Sequence, residues 1–270
     1  PESGEGVLLS LADRLDAIAG LWQAGFAPTG SKDPYALRRQ AMAVLRLMLE
    51  KELPLCLGEA LDAALLGYPA VTPGELRPVL LDFFLNRFEG VMEEAGVAPD
   101  VLGAVLAGGE TRVLDLRARA LALNALRGDS AFEKLVTGAR RVGNILAKEG
   151  LSGDPLKAYP DLESWAGQGN RPYDFTASLL EADEERHLHD TFASSAPGLL
   201  EAAKARDYDR AYRRLADLGA DIDAYFDGVM VNCEEKDLRR NRLAFLRNLA
   251  QVFLHFADFS VVVLEGERGG

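Results

Sequence analysis

Apolar residues return every three or four positions along almost the whole of this 270-residue chain, and almost nowhere do they alternate one by one. That period matches the turn of an α-helix and not the two-residue repeat of a half-buried strand. The segment LLSLADRLDAIAGLW puts Leu8, Leu11, Leu15, Ile18 and Trp22 on one face, and PYALRRQAMAVLRLMLEKEL continues in the same manner. AFEKLVTGARRVGNILAKEG carries a stripe of Phe132, Leu135, Val136, Ala139, Val142 and Leu146, with Gly150 where a C-capping glycine belongs. In DLRRNRLAFLRNLAQVFLHFADF, the residues Leu238, Phe245, Leu249, Val252 and Phe256 align. Only SVVVLEG near the end reads as extended chain. The spacing predicts an all-α fold of helical bundles.

One stretch breaks the pattern. GLSGDPLKAYPDLESWAGQGNRPYDF is rich in glycine and proline, with Tyr159, Trp165 and Tyr173 interspersed. A connector of that length is more often functional or mobile than idle. It separates a C-terminal bundle, residues 176–270, from the region 56–150 and the helices before it.

The charge balance limits what such bundles can bind. Lys plus Arg total 30 against 42 Asp plus Glu, a net charge of −12. A protein so acidic is not an indiscriminate nucleic-acid binder. The signs are segregated, however. Residues 112–148 hold eight basic side chains (Arg112, Arg117, Arg119, Arg127, Lys134, Arg140, Arg141, Lys148) against Asp115, Asp129 and Glu133. Residues 174–190 are the reverse, with Arg186 the one cation among acids. Local phosphate contacts are therefore open to it.

Cys56 and Cys233 are far apart and lie in no Cys/His cluster, which argues against a disulfide framework or zinc site and for a reducing, cytoplasmic setting. No apolar run approaches the roughly 18–20 residues of a membrane helix, and no signal peptide is visible. The chain opens on Pro1, which reads as a piece of something longer.

The segment GFAPTGSKDPYALRR nearly spells a phosphate-binding loop, with Gly25, Gly30 and then Ser31–Lys32 in the wrong order. Such a loop follows a buried strand, and here it follows an amphipathic helix. Asp33 and Pro34 read instead as an N-cap and a first helical residue.

The same segment resembles a signature of the β subunit of bacterial, tetrameric glycyl-tRNA synthetases. LADRLD at 11–16, FFLNRFEGVMEEAGVAPDVLGAVLA at 83–107 and FEKLVTGARRVGNIL at 132–146 are similar to family segments in the same order. IDAYFDGVMVNCEEKDLRRNRLAFLRNLAQVFLHFADFS at 222–260 resembles its closing helices. The resemblance implies residues 1–55 as the last helices of an HD-like domain, followed, beyond a linking region, by a helical anticodon-binding domain of the arginyl-tRNA synthetase kind. It implies glycine tRNA and an α subunit as partners in an α2β2 enzyme. ATP and magnesium would be handled by that α subunit, with no cofactor and no catalytic residue in this stretch.

Candidate residues divide accordingly. Lys134, Arg141, Asn144 and Lys148 fall within about 80° of one another on a helix, opposite its apolar stripe. With Arg140 they are candidate tRNA contacts, a row of cations and an amide suited to an RNA backbone and a base edge. The bland alternative is an ordinary solvated face. Lys32 with Arg38 and Arg39, and Arg239 with Arg240 and Arg247, form secondary basic patches. Arg242 lies in the apolar stripe of the last helix, where a guanidinium must be paired; Asp223 and Asp227 are the expected partners. Tyr159, Trp165 and Tyr173 are candidate stacking platforms for unpaired bases.

Metal chemistry finds little support. Asp13 and Asp16 sit where an HD hydrolase places a late metal ligand, but His187, His189 and His255 are all distant. His187 and His189, two apart on a helix, diverge. Glycine anticodons end in two cytosines, whose edge needs a carboxylate or carbonyl acceptor and a donor such as arginine. Arg141→Ala is accordingly expected to weaken tRNA binding and flatten its salt dependence. A helical scaffold for protein partners, with no RNA role, is the alternative.

Overall fold

In the computed structural model, described for residues 1–68, 73–151 and 175–264, the chain folds into two compact units. One comprises Pro1–Pro99 with Glu110–Arg117, the other Asp100–Gly109 with Ala118–Gly270. Among the described residues there is no strand, only two isolated bridges, Thr29 with Lys32 and Cys56 with Arg112. The chain expected as extended at SVVVLEG instead enters a short 3-10 helix at Phe259–Val261.

The first unit is built on α1 (Gly4–Gln23), α2 (Leu37–Glu50), α3 (Leu57–Leu65) and α4 (Pro73–Glu94). α1 packs on α2 and α3, and α4 packs on the same two helices. Ser3 caps α1 by accepting the Gly6 N–H. Val7, not the expected Leu8, starts the buried stripe that continues through Leu11, Leu15 and Ile18. Leu8 points outward because a stripe of period 3.6 drifts across a run of adjacent leucines. α2 buries Leu37, Ala41, Val44, Leu45 and Met48, and α4 meets them with Leu80, Phe84 and Phe88. The boundary expected at residue 55 falls inside this unit.

The near-P-loop is the turn between α1 and α2. Gly25 takes φ +83°, its N–H donating to the Trp22 carbonyl while Phe26 N–H donates to Leu21, a left-handed helix end. Helix α2 starts at Leu37, three residues later than Pro34 suggested. Ala36 stands in the left-handed region before it, and the Asp33 carboxylate still accepts the Leu37 and Arg38 N–H groups at 2.8 and 3.0 Å. Asp33 does the capping from further back than the sequence implied.

α5 (Pro99–Leu106) and α6 (Val113–Ala125) have residues in both units. The second unit continues with α7 (Ser130–Lys148), α8 (Asp183–Lys204), α9 (Tyr208–Asp217), α10 (Gly219–Gly228) and α11 (Lys236–Phe256). α7 packs against α9, α10, α11 and the terminal 3-10 helix. Its stripe is as the period predicts, and Gly150 closes it at φ +67°. α11 is buried along most of its length, so Tyr212 and Arg119 reach its last carbonyls, Phe256 and His255. Asp100 grips both Arg127 amino groups at 2.8 Å and the Val263 N–H at 2.7 Å, tying the segment after the 3-10 helix to α5.

Close approach of α7 and α10 depends on two glycines. A Cβ at Gly138 would stand 2.6 Å from the Ile222 methyl, and one at Gly219 would stand 2.8 Å from the Leu135 nitrogen. Gly143, on the same helix α7, faces open space. Gly138→Ala is expected to cost about 1–3 kcal/mol through overpacking. Gly143→Ala should stabilise by up to about 1 kcal/mol through helix propensity. Urea midpoints shifting in the same direction for both variants would contradict this packing.

Candidate nucleic-acid interface

The basic row of α7 survives folding only in part. Asp129 caps the helix by accepting the Ala131 N–H at 2.8 Å, which fixes the rotation that buries Phe132 and turns the polar face outward. Lys134, Asn144 and Lys148 are exposed on that face. Arg140 is directed elsewhere: its guanidinium donates to the Ser260 carbonyl at 3.3 Å and to Val262. It fastens the segment after α11.

Arg141 lies over the Phe226 ring, 4.6 Å from its centroid, with Asp223 at 3.9 Å and Asp227 at 3.8 Å. Beside it opens a cavity of about 330 Å³ lined by Arg141, Asn144, Ile145, Phe226, Val229, Val231 and Asn232. Two amides, a guanidinium and an aromatic ring thus border an apolar floor. Both carboxylates lie beyond normal hydrogen-bond range, so they orient Arg141 without consuming its donors. The sequence signal for this pocket is the run FDGVMVN, which closes α10 and leads out of it, and Asp223 and Asp227 beside it face Arg141 and not Arg242.

The partners expected for Arg242 are corrected by the structure. Arg242 is buried as expected, but its partner is Glu185, at the first turn of α8, and it also donates to the Met230 carbonyl at 3.0 Å. The other Glu185 oxygen accepts the Glu181 and Ala182 N–H groups, each at 2.9 Å. Burial alone would raise the carboxyl's pKa, yet the guanidinium and the two N–H groups hold it below the usual range.

The secondary patches are less open than the sequence suggests. Arg239 pairs with Glu149. Arg38 donates to the Gly30 carbonyl at 2.8 Å, whereas Lys32, Arg39 and Arg240 are exposed. The wider basic excess is dispersed too: Arg127 goes to Asp100, Arg119 to His255, and Arg112 to Glu110. His187 faces Asp221 at 3.3 Å while His189 bonds Asp190 and stacks near Phe175 and Phe245. They share nothing. Tyr159, Trp165 and Tyr173 lie outside the described residues.

Comparison with known sequences gives this geometry its context. Residues 1–107 match the family model described as glycyl-tRNA synthetase beta subunit, and residues 137–257 match that of the DALR anticodon binding domain. The chain is 38% identical over 268 residues to the glycine–tRNA ligase β subunit of Acidobacterium capsulatum, covering 97% of this chain and 36% of that protein. It is 38% identical over 264 residues to the same subunit of Acinetobacter baumannii, and 35% identical over 263 residues to that of Shewanella denitrificans. This chain belongs to the glycyl-tRNA synthetase β-subunit family. It spans about a third of the length of these relatives, 36% of the first. Within this chain the anticodon-binding match starts inside α7 and ends just past α11. Arg141, Asn144, Lys148, Phe226, Asn232 and the Glu185–Arg242 pair therefore fall inside it, whereas Lys134 stands three residues before it.

Proposed function

We propose that this chain is the tRNA-binding, anticodon-recognising portion of a glycine–tRNA ligase β subunit, acting in the cytoplasm beside an α subunit in an α2β2 enzyme. The observation that carries the reading is the coincidence of the anticodon-binding match with the helices that build the Arg141 pocket. ATP-dependent attachment of glycine belongs, in this reading, to the α subunit. Supporting that division, the near-P-loop is a turn whose Asp33 carboxylate is committed to the α2 N–H groups, which does not suit a triphosphate.

The pocket divides labour between charge and shape. Arg141 has two carboxylates beside it, so its surroundings carry a net negative charge and attract a phosphate poorly. It suits a base edge instead: the guanidinium donates, and Asp223 or Asp227 accepts from an exocyclic amino group such as that of cytosine. Lys148 and Lys134 supply the phosphate contacts that set register.

The salt-dependence effect expected from the sequence for Arg141 therefore passes to the lysines. Lys148→Ala is expected to reduce the log–log salt slope of tRNA binding by about 0.7–0.9. Arg141→Ala should leave the slope nearly unchanged while narrowing the preference for the correct anticodon by about 1–3 kcal/mol. Filter-binding titrations at several salt concentrations separate the two. If neither variant alters affinity, slope or anticodon preference, this face is not the interface.

A further inference from the structure

We propose that the turn between α1 and α2, together with Arg87 of α4, forms a second RNA site in the first unit, gripping one unpaired nucleotide by stacking and by charge. The inference rests on the tRNA-binding reading and extends it to a region that the anticodon-binding match does not cover.

Two aromatic rings stand unusually open there. Phe26 and Tyr35 are 47% and 44% exposed, and they meet edge to face with centroids 5.1 Å apart. The turn is fixed by the left-handed Gly25 and Ala36, by the reciprocal backbone bonds of Thr29 and Lys32, and by the Asp33 cap. The rings are therefore presented by a fixed loop, at little cost in ordering when a base stacks on them.

Cations gather at the same turn. Lys32 and Arg39 are exposed, and Arg38 is held by the Gly30 carbonyl. Arg87 stands over the Phe83 ring at 3.8 Å, and Phe83 in turn packs edge to face on Trp22, at 4.6 Å. Arg87 also donates to the Phe83 carbonyl, and burial, then the charge of Arg38, lowers its pKa against the pull of Asp33 and Asp82. The carboxylates in reach are Asp33, already spent on the α2 N–H groups, and Asp82. A site of like charge beside exposed rings is relieved by a phosphate with a base attached. An acidic peptide would satisfy the cations and leave the rings unused.

The test compares two probes on the full chain: a short unstructured oligoribonucleotide and an abasic oligomer of equal length and charge. Stacking of one base contributes about 1–3 kcal/mol. The double variant Phe26→Ala/Tyr35→Ala, which removes only exposed rings, should weaken the oligoribonucleotide about tenfold or more and leave the abasic oligomer unchanged. Lys32→Ala should weaken both. Equal affinity of wild type and double variant for the oligoribonucleotide overturns the site, as does a polyglutamate peptide competing as well as the RNA. If these variants bind tRNA normally while Arg141→Ala and Lys148→Ala do not, this site fails and the anticodon reading stands. If the wild-type chain binds no RNA, the anticodon reading fails first.

Discussion

Glu185→Ala is expected to destabilise the second unit by about 3–5 kcal/mol, the range for removing one member of a buried ion pair. The side chain is fully buried and both its oxygens are occupied, one by Arg242 and the other by the N–H groups of Glu181 and Ala182. Alanine would leave a guanidinium without its partner and reopen the first turn of α8. The check is urea unfolding of the variant beside the double variant Glu185→Leu/Arg242→Leu. Replacing both charges removes the stranded ion, so the double variant should lose less than the two single losses combined.

The same pair gives a signed pH dependence. The folded Glu185 carboxyl, and that of Asp100 against Arg127, lie below their ordinary values despite burial, because cations and N–H groups stabilise the charged form. A depressed folded pKa contributes stability that is present above the unfolded pKa, about 4.3 for Glu and 3.9 for Asp. That stability is lost as pH falls through the lower folded values. Glu185→Gln should therefore flatten the acid limb of a stability–pH curve and leave its neutral plateau lower.

Phe245→Ala is expected to cost about 3–5 kcal/mol, since a fully buried phenyl ring leaves a cavity its neighbours cannot close. The ring contacts Phe175 at 5.3 Å, Tyr225 at 6.2 Å and Phe192 at 6.3 Å between centroids, with His189 at 6.1 Å. It thus joins α11 to α8, α10 and the segment entering at residue 175. Calorimetric unfolding measures the loss, and Phe245→Leu should recover much of it. A loss below about 1 kcal/mol for alanine would show that this cluster is not the centre of the bundle.

What was legible in the sequence followed from periodicity. The expected stripes of α7 and α11 are buried residue for residue, on α7 because the 3.6-residue repeat gives one rotation that turns the stripe inward, and on α11 because most of the helix is buried. Partner choice was not legible. That Arg242 needed a carboxylate was evident from its apolar neighbours, but Glu185 lies 57 residues away and only the packing of α8 on the other helices selects it over Asp223. For the same reason the basic run 112–148 overstated its own openness. Arg127 and Arg140 look identical to Lys148 in sequence, yet they spend their donors on Asp100, Val262 and Val263. The α7–α10 crossing was hidden as well, since Gly138 and Gly219 carry no signal until the two helices are seen to touch.

The most direct measurement of the central claim is the affinity of the chain for glycine tRNA against the same tRNA with both anticodon cytosines replaced, at one fixed salt concentration. Reading of two base edges predicts weakening by about 1–3 kcal/mol per replaced cytosine. Indistinguishable affinities would mean that only the phosphate backbone is gripped, and the Arg141 pocket would then not be a reader of bases.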